Sequence, residues 1–238
     1  MLLDVAVITN QARTLDTVFV PILKLLCAYS RLPLARAYLV DKKNPDLLVP
    51  TQYLYVENSG PFEEFIRKTE NTAFASGIGL PGRVLQEKTE IWIEDVALDS
   101  KDKFSPNLGV HSAFGFPIMM NGNVVAVVEM YSDAIMKKND EVLKTIVHLA
   151  LQLSQVCERE EINLFMANLS HDLRSYLHGI LSFSTLGYQK IEDAPREKLG
   201  FYFREIKNNG VAIMTMLDSL LDLSRLQGGK ANRKEGKL

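Results

Sequence analysis

The side chains best suited to chemistry in this sequence are His171 and Asp172, which are adjacent. Leu169 and Leu173 flank His171 at the spacing of an apolar helical seam, so a helix here would turn the imidazole about 200° away from that seam, toward solvent. A solvent-facing imidazole is partly neutral at pH 7 and can act as a nucleophile. Asp172 could accept a hydrogen bond from one ring nitrogen and leave the other free to attack a phosphoryl group. From spacing alone, a solvated pair without a chemical role is the more common explanation.

The pair must be positioned by a long amphipathic helix. No proline or glycine interrupts residues 138–178, which predicts one helix of about 60 Å at a rise of 1.5 Å per residue. Its apolar seam first steps by 4, 3, 4 and 3 residues, the heptad pattern of a coiled coil. The seam fails at 158–161 and resumes out of phase, so two seam registers compete there. The first seam comprises Val142, Ile146, Leu149, Leu153 and Val156, and the second comprises Ile162, Phe165, Leu169, Leu173, Tyr176 and Ile180.

A polar turn at residues 189–197 precedes a second amphipathic helix, for which Pro195 suits the first turn. This helix is expected to end at Gly228 and Gly229, where a C-cap glycine belongs. Two such helices cannot close a core alone, but a pair of hairpins can, as a four-helix bundle. The pattern therefore predicts a homodimer of helical hairpins.

The residues before about 133 show a different pattern, in which short strand-like runs alternate with helical segments. Strands are predicted at 34–40, 48–56, 90–96, 113–120 and 123–132, and helices at 11–30, at 62–69 and from Pro81 onward. Asn121-Gly122 lies between the last two runs and favours a two-residue hairpin turn. The arrangement predicts an α+β domain with one antiparallel sheet.

Composition narrows the classes of function. The chain has 238 residues, with 27 basic and 29 acidic side chains and a formal net charge of −2, so no strong field favours nucleic acid or an anionic membrane. Its longest apolar runs are shorter than a membrane span. Cys27 and Cys157 lie far apart and form neither a zinc motif nor a disulfide framework, which favours a reducing, cytoplasmic location. The histidines are scattered, and no metal site is predicted.

Two segments of the helical part resemble the dimerisation and phosphotransfer domain of sensor histidine kinases. Residues 165–184, FMANLSHDLRSYLHGILSFS, resemble its phosphoacceptor box, F-x-A-x-x-S-H-E-x-R-T-P-L-x-x-I. Residues 220–230, LLDLSRLQGGK, resemble the second half of the same module, L-L-D-L-S-K-I-E-A-G-K. The matches to the box are Phe165, Ala167, Ser170, His171, Asp172, Arg174, Leu177 and Ile180.

The resemblance implies that His171 accepts a phosphoryl group from ATP, which a separate catalytic domain binds with Mg²⁺, and passes it to an Asp of a receiver domain. Asp172 would act as the acid/base or orienting residue beside it. Ser175 stands where the family has Thr or Asn to position water for dephosphorylating the receiver. Tyr176 stands where the family has Pro, so the helix can keep a backbone hydrogen bond there, and we predict weaker bending during signalling.

The first part of the chain resembles GAF sensor domains over about residues 8–157. Residues 77–96, GIGLPGRVLQEKTEIWIEDV, resemble the pattern G-x-G-L-x-G-R-V-W-x-x-x-x-P-x-W-I-x-D-V. The glycine-rich turn is interpreted as structural rather than as a phosphate cradle, and His111 as a core or loop residue. No Cys-His pair of the kind that attaches a linear tetrapyrrole occurs, and the resemblance specifies no ligand for the domain.

Together these patterns predict a GAF domain at 1–135, a coiled-coil signalling helix at 136–161, a dimerisation and histidine phosphotransfer domain at 162–230 and a polar tail at 231–238. No motif of an ATP-binding domain follows His171, so we expect the chain to be the sensor and phosphoacceptor portion of a longer kinase rather than an autonomous enzyme. The alternative is a non-catalytic dimeric phosphotransfer or scaffold module.

Overall fold

A computed structural model describes residues 15–99 and 108–231 and, within these ranges, the side chains other than those of residues 16 and 222–231. The described chain forms two compact units, with the division between Ile162 and Asn163. A β-sheet with its covering helices forms the first unit, and a helical hairpin forms the second.

The first unit is built on one sheet of six strands in the order β3-β2-β1-β6-β5-β4. All neighbouring strands are antiparallel, which confirms the predicted α+β class. The predicted strands are all present, and β3 was missed because two residues carry no periodic pattern. The strands are β1 Leu34–Val40, β2 Leu47–Val56, β3 Phe74–Ala75, β4 Ile91–Ile93, β5 Ser112–Met120 and β6 Asn123–Ser132.

The turn at Asn121-Gly122 joins β5 to β6 as predicted. Both residues have positive φ, 52° and 81°, the backbone that a tight hairpin turn requires and that Asn and Gly adopt most readily. Met120 and Asn123 are paired directly across the turn. The turn therefore sets the pairing of β5 with β6 at this end of the two strands.

The helices are α1 Phe19–Ser30, α2 Glu63–Thr69, α3 Gly79–Glu87, α4 Asp140–Gln189 and α5 Arg196–Ala231, and 3₁₀ turns lie at Leu15–Thr17 and Gly60–Phe62. Of the helix predicted over 11–30, residues 11–14 lie outside the described residues, and the α-helix begins only at Phe19, after the 3₁₀ turn. The end predicted for the last helix is wrong, because α5 runs through Gly228 and Gly229 to Ala231. The polar tail beyond Ala231 lies outside the described residues.

Apolar side chains cover both faces of the sheet. On one face, α1 and the first part of α4 contribute Ile22, Leu26 and Ile146, which pack with Phe114 and Val128 of the sheet. On the other face, α2 and α3 pack through a second cluster that includes Phe65, Leu80 and Val84. Strands buried on both faces explain why β5 and β6 are apolar along most of their length.

The first seam of α4 has a different partner from the one predicted. Leu149 and Leu153 are fully buried and Val156 is 2% exposed, all within the core of the first unit. The heptad spacing that predicted a coiled coil here marks an apolar stripe, and the sheet and α1 cover this stripe. Asn139 begins the helix as expected, since its Oδ1 accepts a hydrogen bond from the Glu141 backbone N–H at 3.0 Å.

Candidate functional site

His171 lies on the solvent side of α4 in the second unit. Its side chain is 77% exposed and that of Asp172 is 56% exposed, whereas Leu169 and Leu173 are half-buried. The orientation follows from the helical period, because the two leucines lie on the half-buried side of the helix and His171 stands between them on the opposite side. The imidazole is therefore open to a second molecule or domain.

His171 and Asp172 are in contact. Nδ1 of the imidazole lies 3.3 Å from Oδ1 of the carboxylate. In the tautomer that makes this hydrogen bond, Nδ1–H donates to Asp172 and the lone pair of Nε2 is directed away from it. This arrangement leaves Nε2 as the nucleophilic atom.

The neighbouring hydroxyl groups are bonded to the helix itself. Ser175 Oγ donates to the backbone carbonyl of His171 at 3.1 Å, and Ser170 Oγ donates to that of Met166 at 2.8 Å. The hydroxyl of Ser175 therefore points back along the helix. The helix continues without interruption through Tyr176.

A groove runs between α4 and α5 beside the segment that carries His171. Asp172 and Tyr176 line one wall, and Ala212 and Met216 line the other. Asp172 is therefore placed between the groove and the imidazole. The remaining lining residues mix apolar and hydroxyl side chains: Phe165, Asn168, Leu169, Thr215, Ser219 and Leu220.

The hairpin carries many large apolar side chains that it does not bury. Leu181 of α4 is 65% exposed, and Phe203 and Met214 of α5 are 67% and 60% exposed. A soluble protein rarely leaves such a stripe open along two neighbouring helices. Other members of the stripe are Met166, Leu177, Val211, Leu217 and Leu221.

The glycine-rich segment of the first unit has a structural role. A Cβ at Gly82 would overlap the backbone carbonyl of Ala75, so the segment needs glycine for close packing. Arg83 Nη1 donates to Asp99 Oδ2 at 2.6 Å, and both side chains are largely buried. The guanidinium group of Arg83 is therefore engaged in an ion pair within the protein. The interpretation of this turn as structural agrees with the geometry.

The two thiols are buried in the core of the first unit. Burial, assisted by the nearby Glu57, raises the pKa of Cys27 to about 12. Burial, assisted by Glu160, likewise raises the pKa of Cys157 to about 12. Both therefore stay protonated at neutral pH and are poor nucleophiles or ligands.

His111, which the sequence suggested as a core or loop residue, is exposed.

A cluster of buried polar side chains beneath α2 was missed in the sequence. Tyr38 and Tyr131 donate their hydroxyls to the two carboxylate oxygens of Glu129, both at 2.9 Å. Arg36 Nη1 donates to Thr69 Oγ1 at 2.5 Å, which ties α2 to the sheet. Burial, reinforced by Glu129, raises the pKa of Tyr38 well above its usual value, against the opposing effect of Arg36. The sequence does contain a signal for this cluster: Arg36 and Glu129 are charged residues within two otherwise apolar strands, β1 and β6.

Neither a metal centre nor a membrane span is found in the described part of the chain. No group of three or more His, Cys, Asp or Glu side chains among residues 15–99 and 108–231 could hold a metal ion. The helices within the same ranges are each too short or too polar to cross a bilayer.

The fold and the site define an α+β domain built on an antiparallel sheet, followed by a helical hairpin that presents a histidine. The GAF domain family matches residues 12–158, and the His Kinase A (phospho-acceptor) domain family matches residues 161–229. The chain therefore belongs to the GAF domain family and continues into a His Kinase A domain, the phosphoacceptor module of histidine kinases in two-component signal transduction.

The curated relatives are sensor histidine kinases. The chain is 33% identical over 85 residues to the sensor histidine kinase GacS of Pseudomonas protegens, covering 35% of this chain and 9% of that protein. It is 26% identical over 142 residues to the circadian input-output histidine kinase CikA of Synechocystis sp., covering 56% of this chain and 18% of that protein. The matched region is thus a small part of the length of these relatives.

Solved structures support the fold of the first unit. The GAF domain from the Acinetobacter phosphoenolpyruvate-protein phosphotransferase superposes with a TM-score of 0.56 at 16% identity, covering 68% of this chain and 92% of that chain. At this level of identity the likeness concerns the fold alone.

Proposed function

We propose that the chain is the sensor and phosphoacceptor portion of a cytoplasmic histidine kinase and that His171 carries the phosphoryl group. Nε2 of His171 attacks the γ-phosphorus of ATP held with Mg²⁺ by a separate catalytic domain; the new N–P bond replaces the bond to the leaving ADP. An aspartate carboxylate of a receiver domain then takes the phosphoryl group and releases the imidazole. The exposed imidazole, held through Nδ1 by Asp172, carries this proposal.

Asp172 is proposed to assist the transfer electrostatically. As the N–P bond forms, positive charge develops on the imidazole and the Nδ1–H bond becomes more polar. The carboxylate at 3.3 Å stabilises this charge and holds the ring in one orientation. Both effects favour attack by Nε2 over attack by Nδ1.

The assignment of His171 can be tested with His171→Gln and His178→Gln. Both histidines are exposed on α4, so His178→Gln is a matched control for the loss of an imidazole. With an added histidine kinase ATP-binding domain and labelled ATP, wild type and His178→Gln should gain an acid-labile, base-stable phosphate, and His171→Gln should gain none. Labelled His171→Gln would contradict the assignment, as would loss of labelling in His178→Gln.

The exposed apolar stripe supports a homodimer of hairpins, proposed here to form a four-helix bundle. Burying Leu181, Phe203 and Met214 between two copies removes apolar surface from water, which is the main driving force for association. Met214→Glu would place a charge in this interface and is expected to shift the chain toward monomer in sedimentation velocity. Asn208→Glu changes an exposed residue of the same helix that lies outside both the stripe and the groove and serves as the control. A dimer that survives Met214→Glu unchanged would contradict the proposed interface.

Two features favour a second candidate function, a dimeric phosphotransfer or scaffold module without kinase output. The hydroxyl of Ser175 is bonded to the helix backbone, and Tyr176 leaves that helix unbroken. If His171 accepts no phosphate from the supplied ATP-binding domain but does accept it from a phosphorylated receiver domain, the phosphotransfer module is favoured. If it accepts phosphate from neither, the scaffold is favoured.

A further inference from the structure

The two helices of the hairpin approach each other closely at Gly179 of α4 and Asn209 of α5. A Cβ built on Gly179 would lie 2.9 Å from both Nδ2 and Oδ1 of Asn209 and 3.0 Å from its Cγ. Real Cβ atoms essentially never approach another heavy atom so closely. The carboxamide of Asn209 therefore occupies the space that any side chain at residue 179 would need.

The carboxamide is not free to move aside at no cost. Its Nδ2 donates to the backbone carbonyl of Glu205 at 2.7 Å, in partly buried surroundings. Rotating the side chain away from Gly179 would break this bond where water has limited access. The bond also explains how Asn209, a residue that often disfavours helix interiors, is accommodated within α5.

The close approach is particular to Gly179 among the hairpin glycines whose surroundings the structure describes. A Cβ at Gly187 would meet its nearest atom, on Tyr202, at an ordinary 3.8 Å. A Cβ at Gly200 or at Gly210 would have nothing within 4 Å. The requirement for glycine at residue 179 is therefore a property of the contact with Asn209.

We infer that Gly179 and Asn209 form a register pin. By this we mean that their contact determines which turn of α5 packs against a given turn of α4. If α5 slipped by one turn in either direction, the carboxamide would lie opposite Phe183 or Tyr176. Each of these residues carries a large side chain, so neither leaves the room that glycine leaves at residue 179. A single polar residue in a helical seam is known to select one register in this way, at some cost in stability. The pin lies about 12 Å along the helix from His171.

The register that the pin selects determines which residues of α5 line the groove beside Asp172. In the pinned register, Ala212 and Met216 of α5 line the groove together with Asp172 and Tyr176 of α4. A shift by one turn would exchange these residues for others. The device therefore acts on the surroundings of the phosphoacceptor segment, but its existence requires no phosphoryl transfer.

The contact can be tested by hydrogen exchange on the full chain, read by mass spectrometry in α4 and α5. Gly179→Ala should accelerate amide exchange in the hairpin several-fold and leave the sheet of the first unit unchanged, which serves as the internal reference. Gly200→Ala, at an exposed and open site in α5, should slow exchange or leave it unchanged because alanine favours helix. Equal behaviour of the two variants would overturn the inference.

The role of Asn209 is isolated by making Gly179→Ala in an Asn209→Ala background. With the carboxamide removed, alanine at residue 179 has room, so the substitution should change from harmful to neutral or favourable. A double-mutant comparison of this kind separates the contact from the effect of either residue alone. If Gly179→Ala is equally harmful with and without Asn209, no pin exists.

The register itself is tested by cross-linking. Leu169→Cys with Ser219→Cys, two residues that line the groove, should form an intrachain disulfide in the pinned register, while Leu169→Cys with Thr215→Cys reports a slip by one turn. The native thiols are buried and contribute little background. With Asn209 present only the first pair should form, and with Asn209→Ala the second should appear as well. Formation of the second pair in the presence of Asn209, or its absence in both backgrounds, would overturn the inference. Because no phosphate is involved, this result is independent of the proposed function.

Discussion

At the scale of single residues, the negative charge of Asp172 is expected to matter in addition to its hydrogen bond with His171. A neutral amide could still accept the hydrogen bond from Nδ1 of His171, but it could not stabilise positive charge on the ring. The contact at 3.3 Å between two exposed side chains is weak in the resting state. The contact gains in strength as positive charge develops on the imidazole, because the carboxylate already lies beside the ring.

Asp172→Asn should therefore slow phosphorylation of His171 by about 100-fold, the lower part of the range for acid–base assistance. Asp172→Glu keeps the charge and should retain most of the rate. The measurement is the initial rate of labelling with an added ATP-binding domain at saturating ATP. Equal rates for the asparagine and glutamate variants would show that charge at this position does not matter.

Local and long-range features differ in how far they could be predicted from the sequence. The exposure of His171 and its contact with Asp172 follow from helical period and adjacency, so the residues themselves were enough. The cluster of Arg36, Tyr38 and Glu129 joins two strands far apart in the chain, and its pairing depends on register between β1 and β6. A charged residue in an apolar strand signals such a cluster but does not identify its partner.

At the scale of elements, α4 shows why an apolar stripe does not specify what covers it. Its first seam has the spacing of a coiled coil, yet Leu153 is fully buried within the first unit while Leu151, two residues earlier, is 59% exposed. A sheet and a second helix satisfy the same spacing equally well over a few turns. The sequence therefore predicted the helix and its buried face correctly, and its partner incorrectly.

The packing of α4 can be tested with Leu153→Ala and Leu151→Ala. Leu153→Ala should lower the free energy of unfolding of the first unit by about 2–5 kcal/mol, because it leaves a cavity in the core. Leu151→Ala, on the exposed side of the same helix, should change it by less than about 0.5 kcal/mol. Trp92, the only tryptophan of the chain, reports unfolding of this unit in denaturant. Similar effects of the two substitutions would contradict the packing described.

Tyr176 is predicted to make the phosphoacceptor helix stiffer than the usual proline would. The helix is continuous at this point, and Tyr176→Pro would remove a backbone donor and introduce a clash worth about 3 kcal/mol. We expect faster amide exchange around residues 172–176 and an altered rate of His171 phosphorylation. Tyr176→Ala removes the ring but keeps the donor, so it separates the two contributions. Unchanged exchange and unchanged rate in Tyr176→Pro would remove the basis for the prediction.

At the scale of the whole molecule, one helix contributes to both units. The residues of α4 up to Ile162 belong to the first unit and those from Asn163 onward to the second. The two apolar seams of the helix are out of phase, with the break at residues 158–161. Both seams therefore cannot adopt their preferred packing at the same helix rotation, and we expect a change of packing along one seam to disfavour the packing of the other. A two-state signalling element requires this kind of competition.

This expectation is tested by inserting alanines between Glu161 and Ile162. Insertion there keeps the hydrogen bond from the Leu15 backbone N–H to Glu160 at 2.8 Å. Two added residues rotate the following helix by about 200°, whereas seven rotate it by nearly two full turns and restore the phase to within about 20°. If signals pass through helix phase, the rate of His171 phosphorylation should change with two residues and return with seven. A rate that is indifferent to phase, or that falls steadily with added length, would show that the break at 158–161 is not the switch.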